Sequence, residues 1–163
     1  MGVAGSGKTT IGSLLAQQLG WEFADADSFH SAENIERIRR GIPLTDEERA
    51  PWLRAINEAM LQRVAEQKNA VLACSVLKQS YRDQLHHGPE AKLVYLKGDY
   101  DLIYKRLSQR RGHFAGSDLL ASQFETLEEP SDAITVEVNQ TPEEIVSEIR
   151  ARLGLAYNHV APT

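Results

Sequence analysis

The sequence predicts an α/β fold, a parallel sheet layered between helices, and three observations carry that prediction. Apolar runs of four to five residues recur along the chain, such as Ala70-Val71-Leu72-Ala73-Cys74 and Leu93-Val94-Tyr95-Leu96. Patterns with helical spacing alternate with them. A glycine-rich loop also leads straight into the first helix. Continuous apolar runs suit strands that are buried on both faces, and such strands are parallel and joined by crossover helices.

Taken in order, residues 9–19 place Ile11, Leu14, Leu15 and Leu19 at helical spacing before Gly20. Residues 21–24 read as a short strand ending in Asp25-Ala26-Asp27. Residues 31–40 read as a helix stopped by Gly41. A longer helix starts near Thr45, where Thr45 and Glu48 have capping-box spacing; Pro51 falls early in it, and Leu53, Ile56, Met60 and Val64 mark its apolar face. Residues 70–74 form a strand, 79–87 a helix, 93–96 a strand and 101–109 a helix. An arginine-rich stretch, 110–118, precedes a helix near 118–127. The last strand is 134–138, and the last helix runs from Pro142, with Ile145, Val146, Ile149 and Leu153 inward and Gly154 beyond its end. Residues 1–155 read as one domain and 156–163 as a flexible tail.

The 163 residues are 42% hydrophobic and 25% charged, which is ordinary for a globular chain. A net charge of −5 argues against a surface that coats nucleic acid. Cys74 is the sole cysteine, so no internal disulfide is available. No apolar run approaches the ~18–20 residues of a membrane span. With no leader pattern at the N-terminus, a cytoplasmic protein without nucleic-acid or membrane partners is expected.

Gly2-Val3-Ala4-Gly5-Ser6-Gly7-Lys8-Thr9 fits the phosphate-loop pattern G-x-x-x-x-G-K-T. Its glycines let backbone N–H groups turn inward around phosphate oxygens at a helix N-terminus, where the dipole favours anions. Gly2, Gly5, Ser6, Gly7, Lys8, Thr9 and Thr10 are the expected nucleotide contacts, with Lys8 directed at the β- and γ-phosphates and Thr9 at Mg²⁺. ATP and Mg²⁺ are the cofactors this loop calls for. The usual metal carboxylate at the end of a neighbouring strand is absent, because strand 70–74 runs into Ser75. Asp25 and Asp27 are the replacements. If the extended conformation continues through them, both project to one side. Asp25 is assigned to the metal and Asp27 to the acceptor hydroxyl, as base or positioner.

Arg49, Lys78 and Arg82 lie just beyond element ends, where α/β sheets form ligand crevices, and could clamp an anionic acceptor. Arginine suits a carboxylate because its planar fork binds both oxygens. Lys105, Arg106, Arg110 and Arg111 form a basic run before Gly112. A hinged arginine lid over about 110–118 would bring positive charge to the phosphoryl group in flight and exclude water. Arg106 and Arg110 are therefore candidate ATP ligands, and Arg110 with Lys8 and Asp27 a candidate catalytic residue.

Together with the phosphate loop, several segments resemble the small gluconokinases, relatives of shikimate and nucleoside monophosphate kinases. They are Asp25–His30, 41–53, 72–82, Tyr95-Leu96-Lys97-Gly98, Arg110-Arg111-Gly112-His113-Phe114 and 123–130. The resemblance spans nearly the whole chain. It implies a P-loop kinase three-layer sandwich with a mostly five-stranded parallel sheet, D-gluconate as substrate, 6-phosphogluconate as product and a homodimer. It also places His30 and His113 with Asp27, Arg49, Lys78 and Arg82 around the acceptor, within an acceptor region of about 28–68 and the lid. Another small-metabolite kinase, with shikimate as its acceptor, and a non-catalytic nucleotide-binding regulator are the alternative readings. One departure stands out. A phosphate loop normally follows a central strand, yet only Met1 precedes Gly2 here, so that strand reads as truncated and roughly five to ten further residues are expected upstream.

Overall fold

The computed structural model describes residues 1–85, 90–109 and 117–155. The phosphate loop enters α1 (Lys8–Leu19), which is followed by β1 (Glu22–Asp25), a single 3-10 turn (Ala26–Phe29), α2 (Ala32–Arg39) and α3 (Asp46–Ala65). Then come β2 (Ala70–Ala73), α4 (Gln79–Gln84), β3 (Val94–Lys97), α5 (Tyr100–Ser108), α6 (Ser117–Thr126), β4 (Ile134–Glu137) and α7 (Pro142–Arg152). The expected alternation of strands and helices is therefore present. The helix expected over 79–87 ends at Gln84, and His86 and His87 lie outside the described residues.

Local chemistry explains the boundaries. The Thr45–Glu48 capping box forms in full: the Thr45 hydroxyl accepts from the Glu48 amide, and the Glu48 carboxylate accepts from the Thr45 amide. A second box, Thr141 with Glu144, starts α7, where Pro142 takes the first turn and needs no donor. Pro51 lies within α3 and leaves the helix continuous through Ala65.

The strands form two parallel pairs. β1 lies beside β2 with Asp25 opposite Ala73, and β3 lies beside β4 with Val94 opposite Ile134. Among the described residues this makes four strands, where five were expected. The fifth place is marked by the backbone of Met1: its nitrogen donates to the Val94 carbonyl, and its carbonyl accepts from the Leu96 amide at 2.9 Å.

Two cores flank the strands, and each draws on both pairs. Val136, Val138, Leu96, Ile103, Ile145, Val146 and Ile149 pack with Ile11 and Leu15 of α1. Trp52, Leu53 and Ile56 of α3 pack with Cys74, Val76, Tyr81 and Tyr95. Burial pushes the Cys74 thiol up to about 12, so it behaves as a core residue. The C-terminal ends of the strands, where side chains leave these cores, carry the site.

Candidate active site

The phosphate loop is set by close packing. Gly5 adopts φ +82°, and a Cβ there would lie 2.7 Å from Leu107 Cγ, so any side chain would have to displace Leu107. Gly7, also left-handed, provides the N-cap of α1 without any side-chain cap. The start of α1 therefore keeps its amides for another acceptor. Lys8 Nζ donates to the Gly2 and Val3 carbonyls at 2.9 and 3.0 Å, which holds the ammonium over the loop. Ser6 is buried and its hydroxyl has no hydrogen-bond partner. A cleft of about 290 Å³ opens beside the loop between Gly5, Thr10, Arg106, Gln109, Gln140 and Pro142. Arg106 is fixed at this cleft by donating to the Val138 carbonyl. A second hollow of about 250 Å³ lies over Gly5, Gly7, Lys8, Thr9 and Thr10. Two adjoining hollows, one over a lysine and free helix amides, are what a nucleoside and its phosphates require.

The two residues expected on the metal side meet. Thr9 Oγ1 donates to Asp25 Oδ2 at 2.8 Å, joining the first turn of α1 to the end of β1. A hydroxyl and a carboxylate are hard oxygen donors of the kind Mg²⁺ takes, alongside phosphate oxygens and water. Asp27 reaches its place by a different route from the one the spacing predicts. The extended conformation stops at Asp25, whose Oδ1 accepts the Asp27 amide at 3.1 Å and caps the 3-10 turn. The two carboxylates are therefore not on one face of a continued strand. Asp25 faces the phosphate loop, and Asp27 is exposed on the turn beyond it.

Beyond Asp27 lies a patch of cationic and aromatic groups. His30 is buried and stacks on Trp52, with ring centroids 4.6 Å apart and planes 5° from parallel. Trp52 is itself pinned by its indole N–H, which donates to the Ala26 carbonyl at 2.7 Å. Burial holds the His30 imidazole below its usual 6.5, and Arg49 lowers it further, while Asp27 opposes the shift. His30 Nδ1 has no hydrogen-bond partner. Arg49 and Lys78 both flank the Tyr81 ring, at 5.6 and 5.2 Å from its centroid. Asp46 accepts from the Tyr81 hydroxyl and from Lys78 Nζ, and those two bonds hold its carboxyl below the usual range. Asp27, His30, Arg49, Tyr81, Lys78 and Asp46 are thus linked in one chain of contacts and charge interactions.

A family model for shikimate kinase matches residues 4–154. The chain is 44% identical over 174 residues to a probable gluconokinase of Mus musculus, covering 94% of this chain and 95% of that one. It is 43% identical over 152 residues to the thermoresistant gluconokinase of Escherichia coli, covering 90% and 87%. The chain belongs to the gluconokinase family. The crystal structure of a gluconokinase from Sinorhizobium meliloti superposes with a TM-score of 0.83 at 43% identity, covering 94% of this chain and 89% of that one. The gluconokinase fold is thus the P-loop kinase sandwich the sequence predicts.

Not every expected residue of this gluconokinase-family site joins it. Arg82 is corrected: it is 2% exposed, and its guanidinium donates to the Val76, Leu77 and Glu128 carbonyls and to Gln79 Oε1. It serves the loop behind Lys78 and does not face the acceptor patch. Arg110, His113 and the expected lid over 110–118 fall on or beside residues 110–116, which lie outside the described residues. Sequence reasoning missed Asp46, whose place directly after the Thr45 cap was the available signal, and Gln123, whose Oε1 accepts the Ala4 amide at 2.6 Å. Gln140 gave no sequence signal at all.

Proposed function

We propose that this chain transfers the γ-phosphoryl group of ATP to D-gluconate, giving 6-phospho-D-gluconate and ADP. The observation that supports the reading is the Thr9–Asp25 bond, because it joins the phosphate loop to the strand end that leads to Asp27. The gluconokinase relatives supply the identity of the acceptor.

In this reading the glycine-rich loop and the first amides of α1 bind the phosphates, and Arg106 borders the nucleoside cleft. Lys8 swings from the loop carbonyls onto the β- and γ-phosphates. Thr9, with Asp25 behind it, would hold Mg²⁺, which would neutralise charge on the transferred group. Asp27 orients the gluconate 6-hydroxyl and takes its proton as the new P–O bond forms and the bond to the ADP oxygen breaks. Arg49 and Lys78 receive the gluconate carboxylate, and the His30–Trp52 stack walls the sugar-acid chain. Arg110 and His113 are proposed to act from the lid, Arg110 on the phosphoryl group and His113 on the acceptor. A cytoplasmic homodimer completes the proposal.

A coupled ADP-release assay with gluconate, shikimate and nucleoside monophosphates tests the reading. Gluconate-dependent turnover is expected, and Lys8→Ala should lower it ~10²–10³-fold in a folded protein. Turnover with shikimate alone, none with any acceptor, or a fully active Lys8→Ala protein would overturn it.

A further inference from the structure

The loop that presents Lys78 is held in an unusual shape by residues that touch no substrate surface. After β2 the backbone turns at Val76, which is buried and has φ +29°. A β-branched residue in that region persists only where its surroundings impose it. Two partners impose it here. Arg82 Nη1 donates to the carbonyls of Val76 and Leu77, at 3.1 and 3.0 Å. Glu128, 46 residues further on, engages the same loop three times. Its amide donates to the Leu77 carbonyl at 2.9 Å, its carbonyl accepts from Arg82 at 2.9 Å, and its carboxylate accepts the Gln79 amide. That carboxylate stands in for a cap that Lys78, the N-cap of α4, does not provide.

The same stretch of chain also reaches the phosphate loop. Gln123, in the last turns of α6, accepts the Ala4 amide, and the Leu127 amide donates to the Gln123 carbonyl at 2.9 Å. One short helical span thus grips the phosphate loop at one end and the Lys78 loop at the other. We propose that residues 123–128 act as a spacer fixing the acceptor loop relative to the phosphate loop, with Glu128 the positioning residue on the acceptor side and Gln123 on the nucleotide side. The inference rests on the acceptor reading above. It predicts a division that a general loss of stability cannot produce.

Steady-state kinetics of the full chain, with both substrates varied, tests it. Glu128→Ala should raise the KM for gluconate about tenfold and leave that for ATP within about twofold, since displacement of a positioning group acts on the substrate it serves. Glu128→Gln should restore the gluconate KM, because its amide oxygen still accepts from Gln79. Gln123→Ala should show the reverse split, raising the KM for ATP. Arg82→Lys, which keeps the charge but cannot serve both the Val76–Leu77 and the Glu128 carbonyls, should behave as Glu128→Ala does. An unchanged gluconate KM in folded Glu128→Ala, equal changes for both substrates, or no rescue by glutamine would overturn the spacer. A wild-type protein inactive on gluconate would overturn the acceptor reading instead, so the two failures are distinct.

Discussion

The Thr9 hydroxyl donates to the Asp25 carboxylate across 16 residues of sequence, and the bond ties the turn that binds phosphate to the strand end that leads to the acceptor. If this pair stands behind the metal, Asp25→Asn should raise the Mg²⁺ concentration needed for half-maximal rate and lower kcat by ~10². Thr9→Ser keeps the hydroxyl and should stay close to wild type. A Mg²⁺ titration at fixed ATP reads both, and an unmoved midpoint in Asp25→Asn would remove the carboxylate from the metal site.

Arg49→Lys keeps the charge beside Tyr81 but loses the two-pronged geometry that matches a carboxylate. The KM for gluconate should rise on the order of tenfold, about 1.4 kcal/mol, with the KM for ATP unchanged. Equal gluconate constants for the two proteins would place Arg49 outside the acceptor contact.

Two glycines separate backbone strain from crowding. Gly20 closes α1 at φ +67° with open space around its missing Cβ, so Gly20→Ala should cost about 1 kcal/mol for the left-handed backbone alone. Gly5→Ala adds the collision with Leu107 and should cost about 1–3 kcal/mol, while also weakening ATP binding. Denaturant midpoints and nucleotide calorimetry would check the ordering, which reverses if the loop relaxes around the new methyl.

His30 gives the protein a pH dependence. Its folded-state pKa lies below the unfolded value of 6.5, so the neutral ring is the form the fold prefers. The associated stability is fully present above pH 6.5 and is lost as pH falls through the folded-state value. Wild type should therefore lose more stability than His30→Gln between pH 7 and about 5. Parallel urea melts at each pH would show this, and identical slopes for both proteins would refute it.

Local signals were legible in the sequence, and long-range ones were not. The phosphate loop, the Thr45 cap and the start of α7 depend on neighbours three or four residues apart, so their spacing suffices. Trp52 read as core. Trp52 is core, but one face also carries His30, a contact across 22 residues that no periodicity encodes. Arg82 read as a substrate clamp because an arginine after a strand end has the right chemistry. Its actual partners include a carbonyl 46 residues away, which only the folded chain supplies. The aspartates were read as a pair projecting to one side, yet their relative orientation turned on where β1 stops, a matter of one residue that apolar patterning does not resolve.

In the proposed reading the two parallel strand pairs serve different substrates. β3 and β4, with Arg106, Gln140 and Pro142 at their edge, adjoin the nucleoside cleft, whereas β1 and β2 lead to Asp25, Asp27, His30 and Lys78. α1 packs on both halves, and the Met1 backbone lies along β3. Such a partition is modular in the evolutionary sense. Positions such as Arg49 and Lys78, which make no bond to the phosphate loop, can then change with the phosphate acceptor while Asp25 keeps the two halves joined.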